Sequence, residues 1–308
     1  MKRSIIKHGP ATLIVSLPSK WAKERDLKPG SEVDVQPQGN RLIISTGEVL
    51  SALELNLDVT GLSPFMITRL LARSYQKGYD VINLRYADRK SLNAIREKVT
   101  ELLGFDIIEE DKNVCTIRAI ATTLNIDFDI ALRRVFFRIL ESSRTCQKAF
   151  NEQDSESLSD IWESDLEVNK MTYFCLRTLA KGVVSGYDIF VLYHLIETLE
   201  DLGDEIKKLA MELSKTKSKN MWVSKKLKTM VELTELIVQF FYSPKKEAAV
   251  KAFELVNELS SLEDLPKNIN KEFLQSVIHF HRIADFLYLY VGMRLDTISE
   301  LHAPTSKA

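Results

Sequence analysis

Leu195-Ile196-Glu197-Thr198-Leu199-Glu200-Asp201-Leu202-Gly203-Asp204-Glu205-Ile206 is the stretch that decides how this chain is read. On a wheel turning about 100° per residue from Glu197, the residues Leu195, Ile196, Leu199, Leu202 and Ile206 fall between about 140° and 260°. Glu197, Glu200, Asp201, Asp204 and Glu205 fall between about 300° and 80°. The reading is a helix with one apolar face and one opposed carboxylate face. Five carboxylates in nine residues repel one another unless a cation sits nearby.

Working outward, Phe280-His281-Arg282-Ile283-Ala284-Asp285-Phe286-Leu287 repeats the outline of Leu199 to Ile206, with His281 and Asp285 standing 81 residues after Glu200 and Asp204. Val168-Asn169-Lys170-Met171 is echoed by Val256-Asn257-Glu258-Leu259, 88 residues later. Self-similarity of this kind marks an internal repeat. The helical period predicts six helices, over residues 129–151, 156–181, 187–215, 224–241, 244–260 and 270–300. Residues 125–303 therefore read as two three-helix bundles packed side by side.

Residues 50–124 change period. Strands are expected at 52–57, 79–85, 105–109 and 114–120, and helices at 65–76 and 90–103. Ser63-Pro64 opens the first helix, and Gly78 and Gly104 close the two. Strands alternating with helices argue for a small α/β sandwich. Gly61 and Gly78 are lone turn glycines, with no phosphate-binding fingerprint. This part reads as a spacer and second dimer contact, or as a small-ligand sensor.

Residues 1–47 are rich in β signals: Ser4–Lys7, Thr12–Leu17, Glu32–Gln36 and Arg41–Ser45. His8-Gly9-Pro10 and Gln38-Gly39-Asn40 are turns, and Pro18 opens a short helix over 19–25 with Ser16 near enough to help cap it. A unit this small buries little core alone. A symmetric dimer with shared or swapped hairpins would solve that. The first 30 residues carry seven cations against two anions, a net +5, whereas the whole chain is at −1. A basic end on a mildly acidic body points to a polyanion partner at that end.

At 308 residues, 45% apolar and 28% charged, the chain has the composition of a soluble globular protein of two or three domains. Cys115, Cys146 and Cys175 lack metal spacing and read as reduced, buried thiols in a cytoplasmic protein. No apolar run is long enough to span a membrane, and Lys7, His8 and Gly9 interrupt any signal core. The five histidines, His8, His194, His279, His281 and His302, fall in no recognised catalytic frame, and no nucleophile elbow or HExxH is present. The expectation is a protein that is not an enzyme.

Two resemblances add to this reading. Ile5-Ile6-Lys7-His8-Gly9, Thr12-Leu13-Ile14-Val15-Ser16-Leu17-Pro18 and Leu27-Lys28-Pro29-Gly30-Ser31-Glu32-Val33 together resemble the SpoVT/AbrB (MazE-like) DNA-binding domain. That resemblance implies a swapped-hairpin dimer gripping double-stranded DNA, with Lys7, Lys20, Lys23 and Arg25 in the matching region. Ala11 and Thr12 stand where many members have an arginine, the usual reader of guanine. The other reading of this segment is a pure dimerisation module with a solvated basic face.

Leu199-Glu200-Asp201-Leu202-Gly203-Asp204 resembles the signature of the PhoU family of phosphate-uptake regulators, with Asp201 in place of the usual arginine. In the second copy His281 replaces the glutamate. The two halves together resemble an archaeal type of phosphate uptake regulator. Some members hold iron, zinc or another divalent metal ion at paired acidic motifs. Carried over, the ligands would be Glu200 and Asp204, His281 and Asp285, with Asp165 and Asn169 of the second helix facing the same site. The other reading is a solvated acidic face, with His194 a surface histidine.

The fold class expected is thus multidomain α+β: a small swapped-hairpin β domain, a small α/β sandwich and an all-α pair of three-helix bundles. The leading function is a cytoplasmic, dimeric DNA-binding regulator of phosphate uptake. The alternative is an adaptor docking on a phosphate transporter, its ATPase or a signalling protein, with the N-terminal domain serving only to dimerise.

Overall fold

A computed structural model describes residues 3–10, 12–38, 41–45, 52–120, 127–182, 184, 188–267, 269–298 and 301. The chain divides into two compact units, Met1–Leu53 and Glu54–Ala308. It is mixed α+β, with small sheets first and a long helical region after them.

In the first unit, β1 (Ile5–His8) and β2 (Thr12–Val15) form an antiparallel hairpin in the register Ile5↔Val15 to His8↔Thr12. Gly9 turns it at φ +76°, a conformation that costs glycine nothing. The short helix α1 (Ser19–Glu24) follows, then β3 (Asp34–Gln38) and β4 (Arg41–Ser45), also antiparallel. Pro18 itself is the N-cap of α1, and no side chain caps the helix. The expected cap from Ser16 is corrected: it lies two residues before the cap, out of reach of the first free N–H groups. None of this unit's described side chains is buried. Ile5 is 67% and Leu13 68% exposed, and Ile6, Ile14 and Val15 are exposed beside them.

The second unit begins with a four-stranded sheet in the order β5-β6-β8-β7. Strand β5 (Glu54–Asp58) runs parallel to β6 (Val81–Arg85), joined through α2 (Pro64–Gln76). After α3 (Arg89–Val99), β7 (Phe105–Asp111) and β8 (Val114–Ala119) form a hairpin, and β8 pairs antiparallel with β6. Ser63 caps α2 and Asp88 caps α3, each accepting from a backbone N–H three residues on. The expected strand at 52–57 begins later, at Glu54, and that at 79–85 begins at Val81. Ile67, Leu71, Tyr75, Ile82, Leu84, Ile95 and Ile117 make the core of this layer, joined by Tyr173 from the helical region.

Six long helices complete the unit: α4 (Phe128–Glu152), α5 (Ser155–Ala180), α6 (Ile189–Leu213), α7 (Met221–Tyr242), α8 (Lys246–Ser260) and α9 (Leu274–Gly292). Asp127, Asp154, Asp188 and Asn220 accept from the first free N–H groups of α4, α5, α6 and α7. Helices α4, α5 and α6 pack together, as do α7, α8 and α9. The two groups meet through α6 on α9 and α4 on α7, and share one apolar core rather than holding two.

Several helix ends differ from expectation: the helix expected over 90–103 stops at Val99, with Thr100 as its C-cap, and three of the long helices differ as well. The fourth helix starts earlier than Ser224, at Met221, because Asn220 caps it. The fifth starts later than Pro244, at Lys246. The sixth is shorter than 270–300: 3-10 turns at Lys271–Phe273 and Leu295–Thr297 flank α9. Arg294 must leave the helix line there, since its Nη2 donates to the Phe241 carbonyl at the end of α7 (2.9 Å). Tyr187 and Glu300, the expected ends of the third and sixth helices, lie outside the described residues. No described helix is long and apolar enough to cross a membrane.

Candidate functional site

The carboxylates of α6 do not form one solvated face. They are shared among three neighbours of the helix: Glu197, Glu200, Asp204 and Glu205 are each met by a cation or a hydroxyl, while Asp201 is exposed.

Toward the α/β layer, Glu197 pairs with Arg73 of α2, and the Tyr193 hydroxyl lies 3.4 Å from the same oxygen. Glu200, one turn on, is half-buried beside Arg69, Arg73, Gln76 and Tyr173 in a small cleft between α2, α5 and α6. The Tyr173 hydroxyl donates to its Oε1 at 3.5 Å. Burial, reinforced by the negative charges of Asp204 and Asp201, lifts the Glu200 carboxyl to a pKa of about 7, with Arg69 opposing.

Toward α5, Lys207 is the bridging cation. Its Nζ donates to Asp165 Oδ2 and to Asp204 Oδ1, each at 2.5 Å. The indole of Trp162 lies 5.0 Å from that nitrogen. Burial works against the ammonium, but the two carboxylate hydrogen bonds outweigh it and hold the lysine pKa above its ordinary value. Asp165 is 4% exposed, and its other oxygen and the Asn169 Oδ1 are buried without a hydrogen-bond partner. Gly203 lets α5 come this close: a Cβ there would meet Val168 Cγ1 at 3.1 Å and Asp165 Oδ1 at 3.7 Å.

Toward α9, Glu205 is buried, and its Oε1 lies 2.7 Å from His279 Nδ1 and 3.4 Å from Arg282 Nη1. Lys208 Nζ reaches its Oε2 at 3.4 Å and Asp204 Oδ2 at 3.6 Å. The expectation that Glu205 belongs to a solvated acidic face is corrected, because the second helix group covers that side of α6.

A separate clamp binds the α/β layer to α5. Arg177 Nη1 donates to the carbonyls of Tyr75 (3.0 Å) and Tyr79 (2.7 Å), and Nη2 to Asp80 Oδ1 (2.5 Å). Its guanidinium lies 5.0 Å from the ring centre of Tyr75 and 4.8 Å from that of Phe105. Lys181 Nζ donates to the other Asp80 oxygen at 2.6 Å.

Of the expected metal ligands, the structure brings Asp165, Glu200 and Asp204 to one region where α5 meets α6. His281 and Asp285 do not join them: both lie on the exposed face of α9. Among the described residues no three His, Cys, Asp or Glu side chains converge as a metal ligand set. His194 is exposed, as a surface histidine should be. In the first unit Lys7, Lys20 and Lys23 are exposed and Arg25 is half-buried, with Lys20 Nζ 3.9 Å from Glu24.

Sequence reasoning gave no partner to Lys207, Glu205, His279, Arg282 or Arg177. Lys207 alone left a signal, three residues after Asp204 and so on the same helix face. The other contacts join residues 74 to 102 positions apart, which no local pattern reports.

No protein-family model and no curated protein sequence matches this chain. Among solved structures the chain is similar to the crystal structure of the phosphate transport system regulatory protein PhoU from Streptococcus pneumoniae, at 15% identity and a TM-score of 0.45, over 55% of this chain and 93% of that one.

Proposed function

We propose that this chain is a dimeric regulator in phosphate uptake that acts by docking rather than by catalysis. Its helical unit engages a component of a phosphate transporter or the ATPase that drives it, and its N-terminal unit joins two copies. One observation carries the joining role: the first unit buries none of its described side chains, while Ile5, Ile6, Leu13, Ile14 and Val15 lie exposed along one hairpin. Each such side chain gains about 1.5–3 kcal/mol when fully covered, so a second copy has a strong driving force to cover them. The resemblance of Leu199–Asp204 to the phosphate-uptake signature supports the choice of partner.

Sedimentation equilibrium of the full chain tests the joining, with Leu13→Glu as the disrupted form. The expected result is a dimer that becomes a monomer in the variant. A monomeric wild type at about micromolar concentration refutes the reading. Binding of the purified chain to the transporter ATPase tests the partner, and its failure there removes the adaptor role.

A second reading, that the paired N-terminal units hold double-stranded DNA, is favoured by the exposure of Lys7, Lys20 and Lys23 within a segment of net +5. It predicts duplex binding whose log K falls by about 0.9 per phosphate contact for each tenfold rise in salt. The Lys20→Glu/Lys23→Glu double variant must flatten that slope. Binding that the variant leaves unchanged rules the reading out.

A further inference from the structure

The resemblance to phosphate-uptake regulators implies a metal ion at the carboxylates of α6, and the residues here do not fit one as they stand. Asp165 and Asp204 come from two different helices and are bridged by one cation, as a divalent ion would bridge them. That cation is the side chain of Lys207, 2.5 Å from an oxygen of each. An oxygen-bound divalent ion would sit about 2.0–2.6 Å from the same atoms, so lysine and metal compete for one place. The aliphatic stem of Lys207 is packed away from water, and Trp162 lies against its ammonium. Lys208 adds a second positive charge 3.6 Å from Asp204. An entering metal would have to expel one ammonium and sit beside another.

We propose that Lys207 is a built-in cation that closes this site, so that the native chain holds no metal there, and that removing its ammonium opens a divalent-cation site. The opened site has enough oxygens. Lys207 uses one oxygen of Asp165, and the second is buried without a partner, as is the Asn169 Oδ1 one turn along α5. Asp204 completes the set from α6. Carboxylates and a carboxamide are what a hard cation such as Mn²⁺ or Ca²⁺ takes. This inference goes beyond the docking function and does not rest on it.

The experiment titrates the full-length protein with Mn²⁺ by calorimetry and with Tb³⁺ by luminescence sensitised through Trp162. Wild type is expected to show no saturable site below about millimolar metal, and Lys207→Met, which keeps the stem, to bind one ion at least about a hundredfold more tightly. Lys207→Arg, which keeps the charge, should bind no better than wild type, and adding Asp165→Asn to Lys207→Met should abolish the new site. Should Lys207→Met be unfolded alone, folding on addition of Mn²⁺ carries the same conclusion. The proposal is overturned if wild type binds metal in the micromolar range and loses it with Asp165→Asn. It is equally overturned if Lys207→Met neither binds metal nor folds in its presence.

Discussion

Glu200→Gln isolates one ionisation in the half-buried cleft between α2, α5 and α6. The wild-type carboxyl titrates near 7 in the folded protein against an ordinary 4.5, through burial first and through Asp204 and Asp201 second. Each pH unit of difference is worth about 1.4 kcal/mol, so ionising Glu200 inside the fold costs about 3 kcal/mol more than in the unfolded chain. Salt screening of Asp201, which is exposed, lowers that to about 2–3 kcal/mol. The direction follows from the raised pKa. Below the unfolded value both states are protonated and the group contributes nothing. As pH rises toward the folded value the unfolded chain releases its proton first, and stability is lost until pH exceeds the folded value. Glutamine keeps the shape, keeps an acceptor for the Tyr173 hydroxyl and cannot ionise. Urea denaturation followed by tryptophan fluorescence, from about pH 5 to about pH 8, should show the variant gaining on wild type by about 2–3 kcal/mol across the range. A difference constant to within about 0.5 kcal/mol would refute the claim that the cleft holds an energetically frustrated carboxyl.

Arg177→Ala should cost about 3 kcal/mol, because it takes the charged donor from two carbonyls and one of the two cations from Asp80, which keeps Lys181. Hydrogen exchange should then speed up in β6 and β8 while α9 is unaffected, and a loss under about 1 kcal/mol would contradict the clamp. His279→Leu removes the closest partner of the buried Glu205 and should cost about 2–4 kcal/mol, part of it recovered in His279→Leu/Glu205→Leu; additive losses would show that the two side chains do not act as a pair. Gly203→Leu places a Cβ 3.1 Å from Val168 Cγ1 with a branched side chain beyond it. It should lower stability by about 1–3 kcal/mol, and a thermal midpoint equal to wild type would show that α5 and α6 separate freely.

The helical architecture was legible because its signal is local. Leu195, Ile196, Leu199, Leu202 and Ile206, the apolar face of the wheel, are all at most 2% exposed. What the wheel could not show is how many neighbours a helix has. It sorts residues by polarity into one buried and one solvated side, but α6 is covered by α5, by the α/β layer and by α9. A carboxylate on the polar side, such as Glu205, can therefore be buried if a distant residue supplies its partner. The repeat misled in a related way. It aligned His281 with Glu200, yet the histidine that meets α6 is His279. The two are about 200° apart on one helix, so the alignment selected the outward face. The strands of the first unit and its Gly9 turn were likewise visible from the β-branched runs, while the turn expected at Gln38-Gly39-Asn40 has Gly39 and Asn40 outside the described residues. Its lack of a core of its own followed from its size.

The two copies of the motif share a backbone and not an environment, and that difference explains their chemistry. In the first copy, α2 of the α/β layer packs on α5, so Glu197 and Glu200 face Arg73, Arg69 and Tyr173, and burial shifts the titration of Glu200. Among the described residues the second copy is packed by helices: α9 packs on α6, α7 and α8. His281 and Asp285 are left on its open face, where an i, i+4 pair is worth about 0.5 kcal/mol at most. A carboxylate motif becomes a site only where a second layer removes water and brings a counter-charge. Here the α/β layer does so for one repeat. If Glu200 is frustrated because that layer covers it, Arg177→Ala, which loosens the layer without touching α6, must bring the Glu200 pKa back toward 4.5. Carboxyl-detected NMR of the two proteins measures this directly. An unchanged Glu200 titration in a demonstrably loosened Arg177→Ala protein would mean that the acidic neighbours on α6, and not the covering layer, set its ionisation.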